Sequence, residues 1–174
     1  MKPVKFLQVI TLLLTLCSCD SCKEDLDTLP PETQTGANTF GCLIDEELFI
    51  GGCCAPWMTP VIGGEYHTIS DELYAGAWGK MNGNPAGNIV IVINHPAQNN
   101  LQTIEKMVYQ PRSGCIQYLA LNKAEVFITK FDTIHKIVSG SFQFVGYCGD
   151  DSTSTNTKQI TQGRFDLKFD IYNE

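Results

Sequence analysis

The clearest pattern in this chain is an alternation near its end. Phe165, Leu167, Phe169 and Ile171 alternate with Arg164, Asp166, Lys168 and Asp170. A period of two puts the four apolar side chains on one face of a strand, whereas on a helix they would scatter around the axis. Ser139 to Val145 repeats the pattern, with Phe142 and Phe144 against Ser141 and Gln143. The two segments are expected to pair as a long hairpin, with the polar stretch from Cys148 to Lys158 as its loop. Phe40–Ile44 and Leu48–Ile50 flank a tight acidic turn at Asp45–Glu47, and Thr68 and Leu73–Met81 suggest another extended region. Ile89–Ile93 is an unbroken apolar run, which suits a central strand covered on both sides. Gly114–Leu121 and Ala124–Phe131 predict a further hairpin around Asn122-Lys123. Asn100–Met107 alone reads as a helix, of about two turns. The sum is an all-β domain of about eight or nine strands with one short helix, either an antiparallel β-sandwich or a partly closed, calycin-like barrel. No βαβ pattern is present, so a parallel sheet is not expected, and no internal repeat is visible.

The other end of the chain carries a different signal. Lys2 and Lys5 precede Phe6–Leu16, a mostly apolar run of eleven residues. A bilayer core needs roughly 20 residues, so this run fits a signal-peptide core better than a transmembrane helix. Leu16-Cys17-Ser18-Cys19 then has the form of a lipobox, with an aliphatic residue three before the cysteine and a small one just before it. Lipidation is therefore expected on Cys19; bulky Leu16 before Cys17, and Cys19 and Asp20 upstream of Cys22, make those two poorer acceptors. An ordinary cleaved signal peptide with incidental cysteines is the alternative. Two or three acyl chains would anchor far more firmly than one. Residues 20–38 are rich in Asp, Glu, Thr and Pro and lack an apolar period, which reads as a flexible tether. The resulting division is a lipoprotein signal peptide over 1–18, a tether over 19–38, and a single β domain over 39–174.

Charge and cysteine content sharpen this placement. Removing residues 1–18 takes away Lys2 and Lys5 and no acid, which moves the net charge from −7 to −9. An acidic domain argues against nucleic acid as a partner and against electrostatic docking on anionic lipid, so the lipid must do the anchoring. Export permits disulfides among Cys22, Cys42, Cys53, Cys54, Cys115 and Cys148, with more pairings than sequence can choose between. Adjacent Cys53 and Cys54 are expected to point apart or to leave one unpaired. Cys42 lies in an apolar strand pattern and suits a buried free thiol.

Three further segments are Leu29-Pro30-Pro31-Glu32-Thr33-Gln34-Thr35-Gly36-Ala37-Asn38-Thr39-Phe40-Gly41-Cys42, Gly140-Ser141-Phe142-Gln143-Phe144 and Ile160-Thr161-Gln162-Gly163-Arg164-Phe165-Asp166. They resemble, in that order, the linker and first strand, the penultimate strand and the closing strand of a family of uncharacterised lipoproteins of Bacteroidota. The likeness covers residues 29–50 and 137–171. The family tends to have Asn-Gly or Asp-Gly in the first hairpin, whereas this chain has Asp45-Glu46, and a type I′ turn needs a positive φ that Glu resists. The resemblance implies an exported lipoprotein with a β fold and implies no activity. Lipoproteins of that phylum often carry a charged export signal after the lipidated cysteine; Lys23-Glu24-Asp25 resembles it, which would place the protein at the outer membrane, facing outward. A merely solvated acidic linker explains the same residues.

Candidate chemistry is sparse. Cys19-Asp20-Ser21-Cys22 has redox or zinc spacing, but lipidation consumes Cys19 and no second pair follows. His67, His95 and His135 are isolated, without H-x-H or H-E-x-x-H, and no G-x-S-x-G elbow or P-loop is present. No metal or cofactor is expected. Gly51-Gly52 and Gly63-Gly64 suit loop hinges. Asp150-Asp151 suits a solvated loop better than a calcium site, and Asp45, Glu46 and Glu47 suit exposed turn acids better than a glycosidase pair. The most unusual stretch is Gly51–Glu65, with Trp57 and Met58 between prolines. Together with Tyr66, Tyr74 or Trp78 it could stack on a sugar ring or grip a partner; Trp57 as a plug at one end of the barrel or sandwich is the preferred reading. The leading expectation is a non-enzymatic domain that binds a small ligand, glycan, peptide or envelope protein. A structural role in envelope assembly comes second, and a hydrolase with a scattered site third.

Overall fold

A computed structural model describes residues 27–53, 55 and 61–173. Its strands are β1 (Thr39–Ile44), β2 (Glu47–Gly51), β3 (Ile62–His67), β4 (Glu72–Met81), β5 (Asn84–Asn94), β6 (Asn100–Leu101), β7 (Thr103–Pro111), β8 (Tyr118–Asp132), β9 (Ile137–Cys148) and β10 (Thr157–Tyr172). The protein is all-β, and among the described residues there is no helix.

Hydrogen bonding carries the sheet around into a ring: β1, β2, β4, β5, β7, β8, β9, β10 and back to β1, each pair antiparallel. The ring is irregular in two places. The short β1–β2 hairpin fills only part of the space between β10 and β4; beyond it β3 takes over, antiparallel to β4 and parallel to Phe169–Tyr172 of β10. This parallel strand pairing needs no crossover helix, because β3 and β10 are distant in sequence. The second irregularity is the seam between β7 and β8, which pair through only Val108↔Leu119 and Tyr109↔Tyr118. Below it the chain from Asn99 to Gln102 closes the gap, with Asn99 and Gln102 donating backbone N–H groups to Ile128 and Val126. Gln102 is buried, and its side chain both donates to and accepts from the backbone of Ala97.

Inward positions alternate as the strand period demands. Ile89, Ile91 and Ile93 of β5, Phe142 and Phe144 of β9, and Phe165, Leu167 and Phe169 of β10 are all buried in one core. Aromatic rings fill its axis: Phe40 lies 5.1 Å from Phe142 and 6.5 Å from Phe49, while Tyr66, Phe131 and Phe169 close the far end. Burying each such side chain stabilises by about 1.5–3 kcal/mol. Four cavities bounded by described residues lie on the outer face and at the rims of the ring.

The β9–β10 hairpin and the β1–β2 hairpin stand where the alternation put them. Four expectations need correction. Asn100–Met107 is strand, not helix. Glu105 is an extra residue opposite Val92 and Ile93, a β-bulge that shifts parity, so Ile104 and Met107 both turn inward three residues apart and mimic helical spacing. The hairpin around Asn122-Lys123 is instead one continuous strand, β8, in which the register slips on either side of Asn122. Asp45 and Glu46 both take positive φ, 48° and 69°, as a type I′ turn requires. Tertiary contacts hold that strain: the Asp45 carboxylate accepts from Lys158 at 2.7 Å and from the Gln159 backbone at 2.8 Å. Finally, residues 30–38 are docked on the ring rather than slack, for reasons given below.

One disulfide, Cys115–Cys148, ties the loop after β7 to the end of β9 with an S–S distance of 2.05 Å. Cys53 is also disulfide-bonded, and Cys42 is a buried free thiol whose pKa burial pushes well above the ordinary range.

Candidate functional site

On the outer face of four neighbouring strands, β10, β3, β4 and β5, the two middle strands lack side chains at adjacent positions. Gly63 of β3 pairs with Gly76 of β4, which pairs with Val90 of β5. Outward positions recur every second residue, so the rows on either side of this one are fixed by the same register. One wall carries Trp78 opposite Asn88. The other carries Tyr74 opposite Glu65, with Asp170 opposite Glu65 in turn. Side chains two positions away on each side stand up, and the glycine row between them does not. The result is an open groove of about 400 Å³, with Lys168 at its β10 end. Glycine is required at its floor: a Cβ on Gly76 would come within 2.5 Å of the Ile89 carbonyl oxygen. Gly63 has a φ of 154°.

Asn88 is the decisive residue of this groove. It lines the cavity, is only 8% exposed, and its Oδ1 has no hydrogen-bond partner. A buried polar atom without a partner costs about 1–3 kcal/mol. Native proteins carry few such atoms, and each calls for an explanation. The walls around it are mixed. The Tyr74 hydroxyl donates to Glu72 at 3.2 Å, and burial together with Glu72, Glu105 and Glu65 raises its pKa. The Arg112 guanidinium lies 6.0 Å from the centroid of the Trp78 ring, in cation–π range. Glu65 and Asp170 are exposed, so they offer hydrogen-bond acceptors rather than the desolvated acid that general-acid catalysis calls for.

Comparison of the chain with family models, with curated proteins and with solved structures found no match. The site therefore rests on its own geometry.

That geometry sorts the sequence candidates. Trp78 is in the groove, together with Tyr74. Tyr66 is not: its ring packs inward against Phe131 and Phe169, and its hydroxyl donates to Asp71 at 2.7 Å. Trp57 and Met58, and likewise Cys19, Lys23, Glu24 and Asp25, lie outside the described residues. Gly63-Gly64 is not a hinge but part of β3. His95 and His135 each meet an aspartate, Asp71 at 2.7 Å and Asp132 at 2.8 Å, yet both pairs sit exposed on turns rather than in a cleft. His67 stacks on Tyr172 with ring centroids 5.2 Å apart. Asp151 caps its own loop through Thr153. Among the described residues no group of three His, Cys, Asp or Glu side chains could hold a metal ion.

Gly63, Gly76 and Asn88 were missed at the level of sequence. The signal was present in Tyr74-Ala75-Gly76-Ala77-Trp78, where two large aromatics flank a glycine at strand spacing. Asn88 carried none, because it stands next to an apolar run and looks like its polar boundary.

A second buried polar site lies nearby and has the opposite character. Asp166 is 1% exposed and accepts six hydrogen bonds. Its donors are the Thr33 hydroxyl at 2.6 Å, the Thr35 backbone at 3.0 Å and hydroxyl at 3.2 Å, the Gly36 and Ala37 backbones at 2.8 and 3.2 Å, and the Ser139 hydroxyl at 2.7 Å. Burial alone would raise its pKa, but these donors outweigh burial and hold the carboxyl far below the usual range. Residues 33–37 thus wrap one carboxylate. Arg164 adds a hydrogen bond to the Pro30 carbonyl at 3.2 Å and an ion pair with Glu32 at 3.3 Å.

Proposed function

We propose that this chain is a non-enzymatic ligand-binding domain of an exported lipoprotein, anchored through lipid on Cys19 in the outer membrane of the cell envelope, and that the β10–β3–β4–β5 groove takes the ligand. The basic n-region, the short apolar core and the lipobox support the anchor. The strap at residues 30–38 makes the attachment shorter than a tether running to residue 38. Between Cys19 and Pro30 the chain reaches at most about 40 Å, so the domain works close to the surface that holds it.

One observation carries the binding reading: Asn88, on the Trp78 wall of a groove floored by glycine, has a buried Oδ1 with no hydrogen-bond partner. An acceptor kept at a cost to stability is accounted for when a ligand enters and the Asn88 side chain turns to meet its donor. The test is Asn88→Leu, which removes the orphaned atom while keeping the volume. We expect a more stable protein that no longer retains ligands from an envelope extract held by the unaltered chain. Equal retention by both proteins, or a variant that melts lower, would sink the reading.

A further inference from the structure

We infer that the ligand of this groove is an uncharged saccharide, bound with a sugar ring over the Gly63–Gly76 row between Tyr74 and Trp78. The inference rests on the groove being the binding site and goes further in naming the chemistry of what fills it.

Dimensions come first. Neighbouring strands are about 4.7–4.9 Å apart, so the groove runs about 14 Å from β10 to β5. Tyr74 and Trp78 are four residues apart along β4, which separates the two walls by about 13 Å. A flat ring fits on the glycine floor with an aromatic side chain at either edge. Apolar C–H faces suit such aromatic surfaces, and the polar edges of the same ring suit the polar rim.

Charge comes second. The groove and its edge hold four carboxylates, Glu65, Glu72, Glu105 and Asp170, and two cations, Lys168 and Arg112. The surplus of acid repels an anion, and a cation would find the Trp78 face already engaged by Arg112, which leaves an uncharged ligand.

Hydrogen bonding comes third. Asn88 Oδ1 needs a donor, Glu65 and Asp170 offer further acceptors, and Lys168 offers a donor. A polyol supplies hydroxyls that both donate and accept. A hydrocarbon would bury Asn88 Oδ1 with nothing to satisfy it. A peptide added as an extra strand needs an open sheet edge, and β3, β4 and β5 each have a neighbour on both sides.

The experiment is calorimetric titration of the full chain with neutral oligosaccharides (cello-, xylo-, manno-, malto- and chito-oligosaccharides), with heparin oligosaccharide as the anionic probe and spermidine as the cationic one. We expect at least one neutral oligosaccharide to bind, with an affinity insensitive to salt. Asn88→Leu and Trp78→Ala should each weaken it by about tenfold or more, and near-ultraviolet circular dichroism should show both variants folded. If heparin oligosaccharide or spermidine binds in an Asn88-dependent manner and no neutral sugar does, the saccharide inference is overturned and the groove reading stands. Neutral sugar binding that neither variant weakens also overturns it. If nothing binds and Asn88→Leu gains no stability, both fail together.

Discussion

Asp166 and Asn88 are both polar, both on the outer face of the ring and both buried, yet they live in opposite environments. Asp166 accepts six hydrogen bonds and organises a segment distant in sequence. Asn88 Oδ1 accepts none. The first is what a polar group looks like when it builds structure: every lone pair is used, and the donors come from the strap it holds. The second, on the reading proposed above, awaits a partner that is not part of the fold. Burial alone does not separate the two roles; satisfaction does.

The largest effect is expected from Asp166→Ala. It strands the Ser139 hydroxyl and the amides of Thr35 and Gly36 against the ring, and should cost about 3–5 kcal/mol by denaturant melts. Release of residues 30–38 should appear in the same variant as faster amide exchange there. Next comes Asn88→Asp. Placing a charge where no donor waits should cost about 2–4 kcal/mol. Stability unchanged by that carboxylate would mean that water or an unseen donor reaches position 88, and the contrast would dissolve.

Acid titration tests the other half of the comparison. The folded-state pKa of Asp166 lies below its unfolded value, so its contribution is fully present above the ordinary carboxylate range and is lost as pH falls through and below it. Asp166→Asn should therefore flatten the loss of stability below about pH 4 relative to the unaltered chain. Parallel acid curves would show that the strap does not depend on the charge. The smallest effect is the Asn88→Leu gain of about 1 kcal/mol, opposite in sign to all the others and visible as a higher midpoint in urea.

The same contrast explains what could be read in advance. The β9–β10 hairpin was legible because Phe142, Phe144, Phe165, Leu167 and Phe169 alternate cleanly and need no distant partner to announce their face. The β1–β2 hairpin was legible for the same reason, but its turn was not. Positive φ at Asp45 and Glu46 is held by Lys158 and Gln159, far along the chain. β7 was misread because a bulge at Glu105 converts a period of two into an apparent period of three. Residues 30–38 looked like a solvated tether because Thr33, Thr35 and Gly36 bury little apolar surface; their hold on the ring is a carboxylate from the last strand. In the candidate site Trp78 is legible only as one of several aromatics that could join the Gly51–Glu65 stretch, whereas Gly63 and Gly76 acquire meaning only when register places them side by side.

The amino-acid sequence by itself determined the all-β class, the two main hairpins and the apolar faces that make the core, because period-two patterning is local and each strand carries its own. Closure of the ring, the swap of β3 for the β1–β2 hairpin beside β10, the strap on Asp166 and the glycine-floored groove were decided only by tertiary structure. Each depends on which strands become neighbours and in what register; for the ring, β3 and the strap that is settled by residues more than a hundred positions apart, and for the glycine floor by the register of β3, β4 and β5.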